Sequence, residues 1–237
     1  MRVLSWNVER LKAGAINIAK EILRHEPDVV ALQEYQPGHI GAELTKFLEA
    51  SGYAFQLTNP FNNGFCSCVI ARVPMQAVAI PRSLPQGNWA SYWVEASCDV
   101  IGLSCIHVPI PKYREQRNAY WKAALEHCAD IEGRPHLLVG DFNTTRHGID
   151  EKGTTVPGDH WLQALEKAGW QEAWRTSNGD LRDYSWFSKA DNGFRLDQAW
   201  LSPSASNHLR DARMCHSPRL AGLSDHSVLI VDLDIRK

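Results

Sequence analysis

A chain of 237 residues, 44% hydrophobic and 22% charged, can bury a full core, in one domain or two. Its formal net charge of −2 excludes a uniformly basic nucleic-acid binder. It does not exclude a nuclease whose positive charge is local or brought by a bound metal.

The opening run Arg2 to Trp6 already reads as a strand, with no signal pattern ahead of it, and it ends at Asn7. Ala15, Ile16, Ile18, Ala19, Ile22 and Leu23 recur at helical spacing, and Pro27 closes the segment. Asp28 to Gln33 is a second strand, delivering Glu34, and a helix from about Ile40 to Ala50 stops at Ser51-Gly52. The middle of the chain changes to short extended runs: Tyr53–Leu57, Phe65–Ala71, Gln76–Ile80, Ala90–Cys98 and Val100–Ile106, the last delivering His107. A helix marked by Tyr120, Trp121, Ala124, Leu125 and Cys128 leads into the apolar strand Leu137-Leu138-Val139, which ends in Gly140-Asp141-Phe142-Asn143. Thr144 to Asp159 reads as loop, and Trp161, Leu162, Leu165 and Ala168 as a helix stopped by Gly169. Strands follow at Tyr184–Phe187, Leu196–Leu201, Asp211–Met214 (an edge) and Ser227–Leu233. No linker, short repeat or low-complexity tract divides the chain, so it reads as one domain over 1–237. Interleaved helical and all-strand stretches point to a two-sheet sandwich with helices outside.

No apolar run approaches bilayer length, so no membrane partner is expected. Of the six cysteines, Cys66-Ser67-Cys68 resembles a metal clip but has no second pair at zinc spacing. Small buried thiols in a reducing cytoplasm are the better reading.

The strand ends carry an unusual cargo: Asn7, Glu34, His107, Asp141, Asn143, Asp197, Asp225 and His226. Any one has a plain explanation, as a turn cap, an exposed charge or a satisfied core histidine. Together, at sheet termini that share an edge, they read as a site. Oxygen donors without a thiolate cluster suit Mg²⁺, with Mn²⁺ as a substitute. Two histidines, amides and carboxylates beside such an ion are what phosphodiester hydrolysis needs.

Five ordered segments resemble the endonuclease/exonuclease/phosphatase superfamily: Trp6-Asn7, Leu32-Gln33-Glu34, Gly140-Asp141-Phe142-Asn143, Arg195-Leu196-Asp197 and Ser224-Asp225-His226. Within it, exonuclease III and the abasic-site endonucleases are the most similar, through Tyr184–Phe187 and the Trp161–Trp174 stretch. The resemblance spans nearly the whole chain and implies an α/β four-layer sandwich, two mixed β-sheets packed face to face with helices on the outer faces. It implies Glu34 as principal Mg²⁺ ligand, with Asn7 beside it and Asp225 a further metal or metal-water ligand. Asp141 would activate water or protonate the leaving oxygen, and Asn143 would orient the water or the phosphate. His226 would contact the phosphate with Asp197 fixing its tautomer. Whether Asp141 or His226 is the general base stays open. The family also implies a monomer.

Two departures bear on specificity rather than on hydrolysis. His107 before Val108-Pro109 stands where exonuclease III-like enzymes carry tyrosine, and resembles the deoxyribonuclease and phosphatase branches. The segment Thr144–His160 is abbreviated relative to the repair enzymes. Arg10, Lys12, Lys112, Arg114, Arg117 and Arg146 cluster in segments expected to rim the site, with Arg117 and Arg146 as candidate phosphate contacts. Trp186 and Phe187 could line a sugar pocket or stack on a base. DNA is the expected partner; a small phosphoester or lipid headgroup, hydrolysed by a phosphatase or phosphodiesterase, is the alternative.

Overall fold

The computed structural model describes residues 1–59, 64–131 and 133–235. In chain order the elements are β1 (Arg2–Asn7), α1 (Ala15–Arg24), β2 (Val29–Tyr35), α2 (His39–Glu49), β3 (Phe55–Thr58), β4 (Cys66–Ala71), β5 (Gln76–Ala77), β6 (Trp93–Ser97), β7 (Gly102–His107) and α3 (Arg114–Asp130). They continue with β8 (His136–Asp141), β9 (Glu151–Lys152), α4 (Asp159–Lys167), β10 (Gln171–Glu172), α5 (Ala173–Asn178), β11 (Trp186–Phe187), β12 (Gly193–Phe194), β13 (Asp197–Leu201), β14 (Leu209–Cys215), α6 (Ser217–Leu220) and β15 (Val228–Leu233).

The strands sort into two six-stranded sheets, ordered β14-β15-β1-β2-β4-β3 and β10-β13-β8-β7-β6-β5, plus a small sheet β11-β12-β9. Each large sheet is mixed: β1 and β2 run parallel, as do β7 and β8, among antiparallel neighbours. Period-two alternation decides the layering. In β1, Val3 joins the core between the sheets, whereas Leu4 and Trp6 pack outward with Ile18 and Ile22 of α1 and Leu44 and Leu48 of α2. In β8, Leu137 and Val139 face the other sheet, while Leu138 packs with Tyr120, Trp121 and Leu162 beneath α3 and α4. Three apolar layers between four layers of elements give the expected α/β sandwich.

Several expectations needed correction. Ala90–Tyr92 belong to a 3-10 turn over Gly87–Tyr92, so that strand starts only at Trp93. The supposed loop Thr144–Asp159 contains β9 and the first residue of α4. Helix α3 begins at Arg114, which puts Arg114 and Arg117 on a helix rather than in a loop.

Register is what positions the site. His107 is paired with Asp141 across β7 and β8, and Asp141 with Asp197 across β8 and β13. Three adjacent strands therefore present an imidazole and two carboxylates side by side. In the facing sheet β1 and β2 end together, with Asn7 opposite Gln33, one residue before Glu34.

Candidate active site

The backbone at the end of β8 is shaped for close approach. Gly140 has φ 148°, and a Cβ there would lie 1.9 Å from the Ile106 carbonyl oxygen. Only glycine lets β7 and β8 meet here. Two residues on, Asn143 takes φ 44°, a left-handed conformation that asparagine tolerates, and its backbone N–H donates to Asp141 Oδ1 at 2.9 Å. Glu34 also sits at positive φ, 51°, where the β2–β4 pairing shifts register between Leu32 and Tyr35. Strain in a carboxylate-bearing residue of this kind is characteristic of functional sites.

These side chains converge on a cavity of about 370 Å³ whose lining includes Glu34, His107, Asp141, Asn143, Asp225 and His226. Asp141 is its centre. Oδ2 accepts from Asn7 Nδ2 at 3.1 Å, and lies 3.6 Å from His107 Nε2 and 3.9 Å from His226 Nε2. His226 Nδ1 bonds Asp197 Oδ2 at 2.8 Å, which leaves Nε2 facing the cavity. Asp197 is fully buried beneath it. The approach of residue 226 is fixed by its own neighbours: its N–H donates to Ser224 Oγ, which donates to the Asn7 carbonyl, and its carbonyl accepts from Trp6 Nε1.

Charge follows geometry. Burial disfavours a charged His226, but the carboxylates of Asp197, Asp141 and Asp225 outweigh it and push the group up to about 10, so it is an imidazolium at neutral pH. Burial raises Asp141 above the usual carboxylate range, and Asp197 adds to this, while His226 and His107 oppose it. Burial lowers His107, with Asp141 only partly compensating, so this imidazole is neutral. It stacks on Tyr92 at 5.0 Å between ring centroids, with Phe65 at 5.7 Å, and its buried Nδ1 has no partner among the described residues.

The donor set suits a hard divalent cation. Glu34 and Asp225 line the same cavity, and burial together with the nearby Asp225 charge raises Glu34, a penalty that a cation between them would relieve. Arg10 lies 3.5 Å from Glu34 Oε2 at the mouth, its guanidinium 4.7 Å from the Phe65 ring. The Asn7 amide oxygen accepts from the Glu9 N–H and its nitrogen donates to Asp141, so its side chain positions a carboxylate beside Glu34.

The structure thus gathers Asn7, Glu34, His107, Asp141, Asn143, Asp197, Asp225 and His226 at one edge. Trp186 joins them: its indole N–H donates to Asp225 Oδ2 at 3.0 Å and its ring stands 6.3 Å from that of His226. Arg117 does not. It is 4% exposed, and its guanidinium donates to the Asn143 carbonyl, Thr144 Oγ1 and the Pro157 carbonyl, clamping the loop behind the site. Its guanidinium is thus committed to two carbonyls and a hydroxyl of the protein. Arg146 is paired with Glu166, and its N–H donates to Asp150. The apolar walls, Ile110, Pro111, Val156, Phe194 and Leu196, and the stacking partners Phe65 and Tyr92 were not anticipated. Their spacing carries no periodic signal, because all but Phe194 of β12 come from loops and the 3-10 turn that ends at Tyr92. None of the two triads of closely grouped metal-type ligands among the described residues, Glu21/His25/Cys215 and Glu95/His127/His136, belongs to this cavity.

No curated protein matches the chain. Solved structures do. An AP endonuclease from Archaeoglobus fulgidus superposes with TM-score 0.86 at 15% identity, covering 99% of this chain and 100% of that one. A 3′ phosphatase, NExo, from Neisseria bound to product DNA hairpin gives TM-score 0.84 at 19% identity, with the same coverage. The 3′-5′ exonuclease NExo from Neisseria meningitidis gives 0.82 at 19%, again over 99% and 100%. At these identities the likeness is one of fold. The sequence itself, over residues 4–226, matches the model of a single family, and by it this chain belongs to the endonuclease/exonuclease/phosphatase family.

Proposed function

We propose that the chain is a Mg²⁺-dependent phosphodiester hydrolase acting on DNA, as an exonuclease III-like 3′-5′ exonuclease, an abasic-site endonuclease, or both. The observation that carries this reading is the placement of Asp141 between two imidazoles of opposite charge state, with Asp197 behind one of them. Asp141 is held by Asn7 and by the Asn143 N–H so that a carboxylate oxygen faces the cavity, where it takes a proton from the attacking water. The His226 imidazolium, held by Asp197, binds a phosphate oxygen as charge develops and supplies the proton to the leaving oxygen. Since His226 stays protonated up to about 10, Asp141 and not His226 is assigned as the base. Mg²⁺ held by Glu34 and Asp225 would neutralise charge on the phosphate. His107, uncharged and with Nε2 3.6 Å from Asp141 Oδ2 at the cavity, has a hydrogen-bonding nitrogen to give to substrate.

The DNA assignment is supported by the 3′ phosphatase and AP endonuclease folds that superpose on the whole chain. The free cysteines fit a reducing cytoplasm. The test is a panel with Mg²⁺: abasic duplex, blunt and recessed duplex, single strand, and a small aryl phosphate. Cleavage of at least one DNA substrate, abolished by EDTA and restored by Mg²⁺, is expected. Hydrolysis of the aryl phosphate with every DNA left intact would overturn the reading in favour of a small-phosphoester enzyme.

A further inference from the structure

At the opposite end of the second sheet, a second group of ligand-type side chains converges. β7 and β8 run parallel, so Gly102 and His136 stand at their starts and His107 and Asp141 at their ends. Five residues at roughly 3.3 Å each separate the two ends by about 16 Å. Here Glu95 from β6, His127 from the last turn of α3, and His136 from the first residue of β8 point at one another. Glu95 Oε2 lies 3.2 Å from His127 Nε2, and Glu95 Oε1 lies 3.4 Å from His136 Nε2. The three ligand atoms all fall within 4.8 Å of one another. We propose that Glu95, His127 and His136 form a second metal site, selective for a borderline transition-metal ion of the zinc class and separate from the catalytic one.

The spacings match that chemistry. Ligands about 2.0–2.1 Å from a tetrahedral zinc lie about 3.3 Å from each other, and Glu95 meets each imidazole near that spacing, His127 through Oε2 and His136 through Oε1. Imidazole nitrogens favour zinc over Mg²⁺, which prefers oxygen alone. Charge points the same way. Glu95 is 4% exposed and brings a negative charge into the interior, which a cation bound there would neutralise. Together the three side chains offer one anionic oxygen donor and two imidazole nitrogens to a divalent ion.

The surroundings are built to hold these groups. Trp93 Nε1 and Ser104 Oγ donate to Glu95 Oε2 at 2.9 and 2.6 Å, and Trp93 orients the carboxylate as an outer partner of a metal ligand does; Ser104 Oγ also lies 2.8 Å from His136 Nε2, a contact that metal binding would replace. Gly102 seats the second imidazole, because a Cβ there would meet His136 Nδ1 at 2.2 Å. The three residues also line a cavity of about 450 Å³, which gives an entry path and an open coordination position. The other triad, Glu21, His25 and Cys215, lacks this vacancy of charge: the Arg24 guanidinium already contacts all three.

The experiment is cobalt titration of metal-stripped Glu34→Gln protein, in which the principal donor of the catalytic site is gone. One equivalent of Co²⁺ should bind, with the intense visible absorption of a low-coordinate ion, and Zn²⁺ should displace it and raise the melting temperature. Adding Glu95→Gln or His127→Ala should weaken Co²⁺ binding at least tenfold and remove the absorption. His127 is on a helix surface next to the cavity, and circular dichroism checks that its variant folds. No stoichiometric Co²⁺ uptake by the Glu34→Gln protein, or uptake undiminished in the Glu34→Gln/His127→Ala double variant, would overturn the proposal and leave a hydrogen-bonded network only.

Discussion

Asn7 and Asp141 belong to different sheets, and the 3.1 Å hydrogen bond between them joins the two layers at the edge where the candidate site residues meet. The bond holds the carboxylate while leaving it ionisable. Asp141→Asn should therefore lower kcat at least a hundredfold, within the range general-base removal produces, with an unchanged melting temperature. Asn7→Ala should cost less, about tenfold in kcat, because Asp141 keeps the Asn143 N–H. Steady-state kinetics beside thermal melts checks both, and a near-normal rate in Asp141→Asn would remove its assignment as base.

Asp197 is expected to act only through His226. Replacing it with Asn removes the charge that opposes burial, so the imidazole should lose its proton well below about 10. A raised folded-state value means that the His226 contribution to stability is complete below the ordinary histidine range and disappears as pH rises toward about 10. In Asp197→Asn that alkaline loss should vanish, and the basic limb of kcat/KM should move to lower pH with a rate fall of about 10²–10⁴. A basic limb at the same pH in both proteins would refute the coupling.

Arg117 separates a structural role from a phosphate contact. Arg117→Met strands the Asn143 carbonyl, Thr144 Oγ1 and the Pro157 carbonyl, and should destabilise the protein by about 2–4 kcal/mol in denaturant melts. DNA affinity should keep its dependence on salt. A slope reduced by about one would instead mark a lost phosphate contact.

Acid sensitivity should trace to Asp150. Burial disfavours its charge, but Arg195 and Arg175 prevail and hold it below the usual carboxylate range. Such a group stabilises the fold above the ordinary aspartate value, and the contribution fades as pH falls through the depressed one. Asp150→Asn leaves Arg195, 1% exposed, with Glu172 as its remaining partner, and should cost about 3–5 kcal/mol at neutral pH. Its melting temperature should then vary less with acid than that of the parent, a comparison made by calorimetry between neutral pH and pH 3.

How much of this could be read beforehand follows from where each signal lives. Glu34, Asp141, Asp197 and His226 each follow or adjoin an apolar run, so alternation and the ordered motifs expose them. The layers were legible for the same reason: Leu4 and Trp6 alternate with Val3 and Ser5. Arg117 was misplaced because the start of α3 carries no apolar period, and without it a basic residue looks like loop charge. The orientation of the Asn7 amide depends on the Glu9 N–H two residues away, which no pattern announces. Phe65 and Tyr92 reach His107 only through long-range pairing, and β9 and β12 are two residues each, too short for any period.

Gly140 gives the site a single mechanical adjustment. Any side chain there would collide with the Ile106 carbonyl, and relief can come only by parting β7 from β8. Those strands carry His107 and Asp141 opposite each other, so enlarging residue 140 widens the gap between imidazole and carboxylate before it disturbs anything else. A residue with no functional group thus sets the separation of two that have one, and Gly140→Ala would detune catalysis without touching a reacting atom.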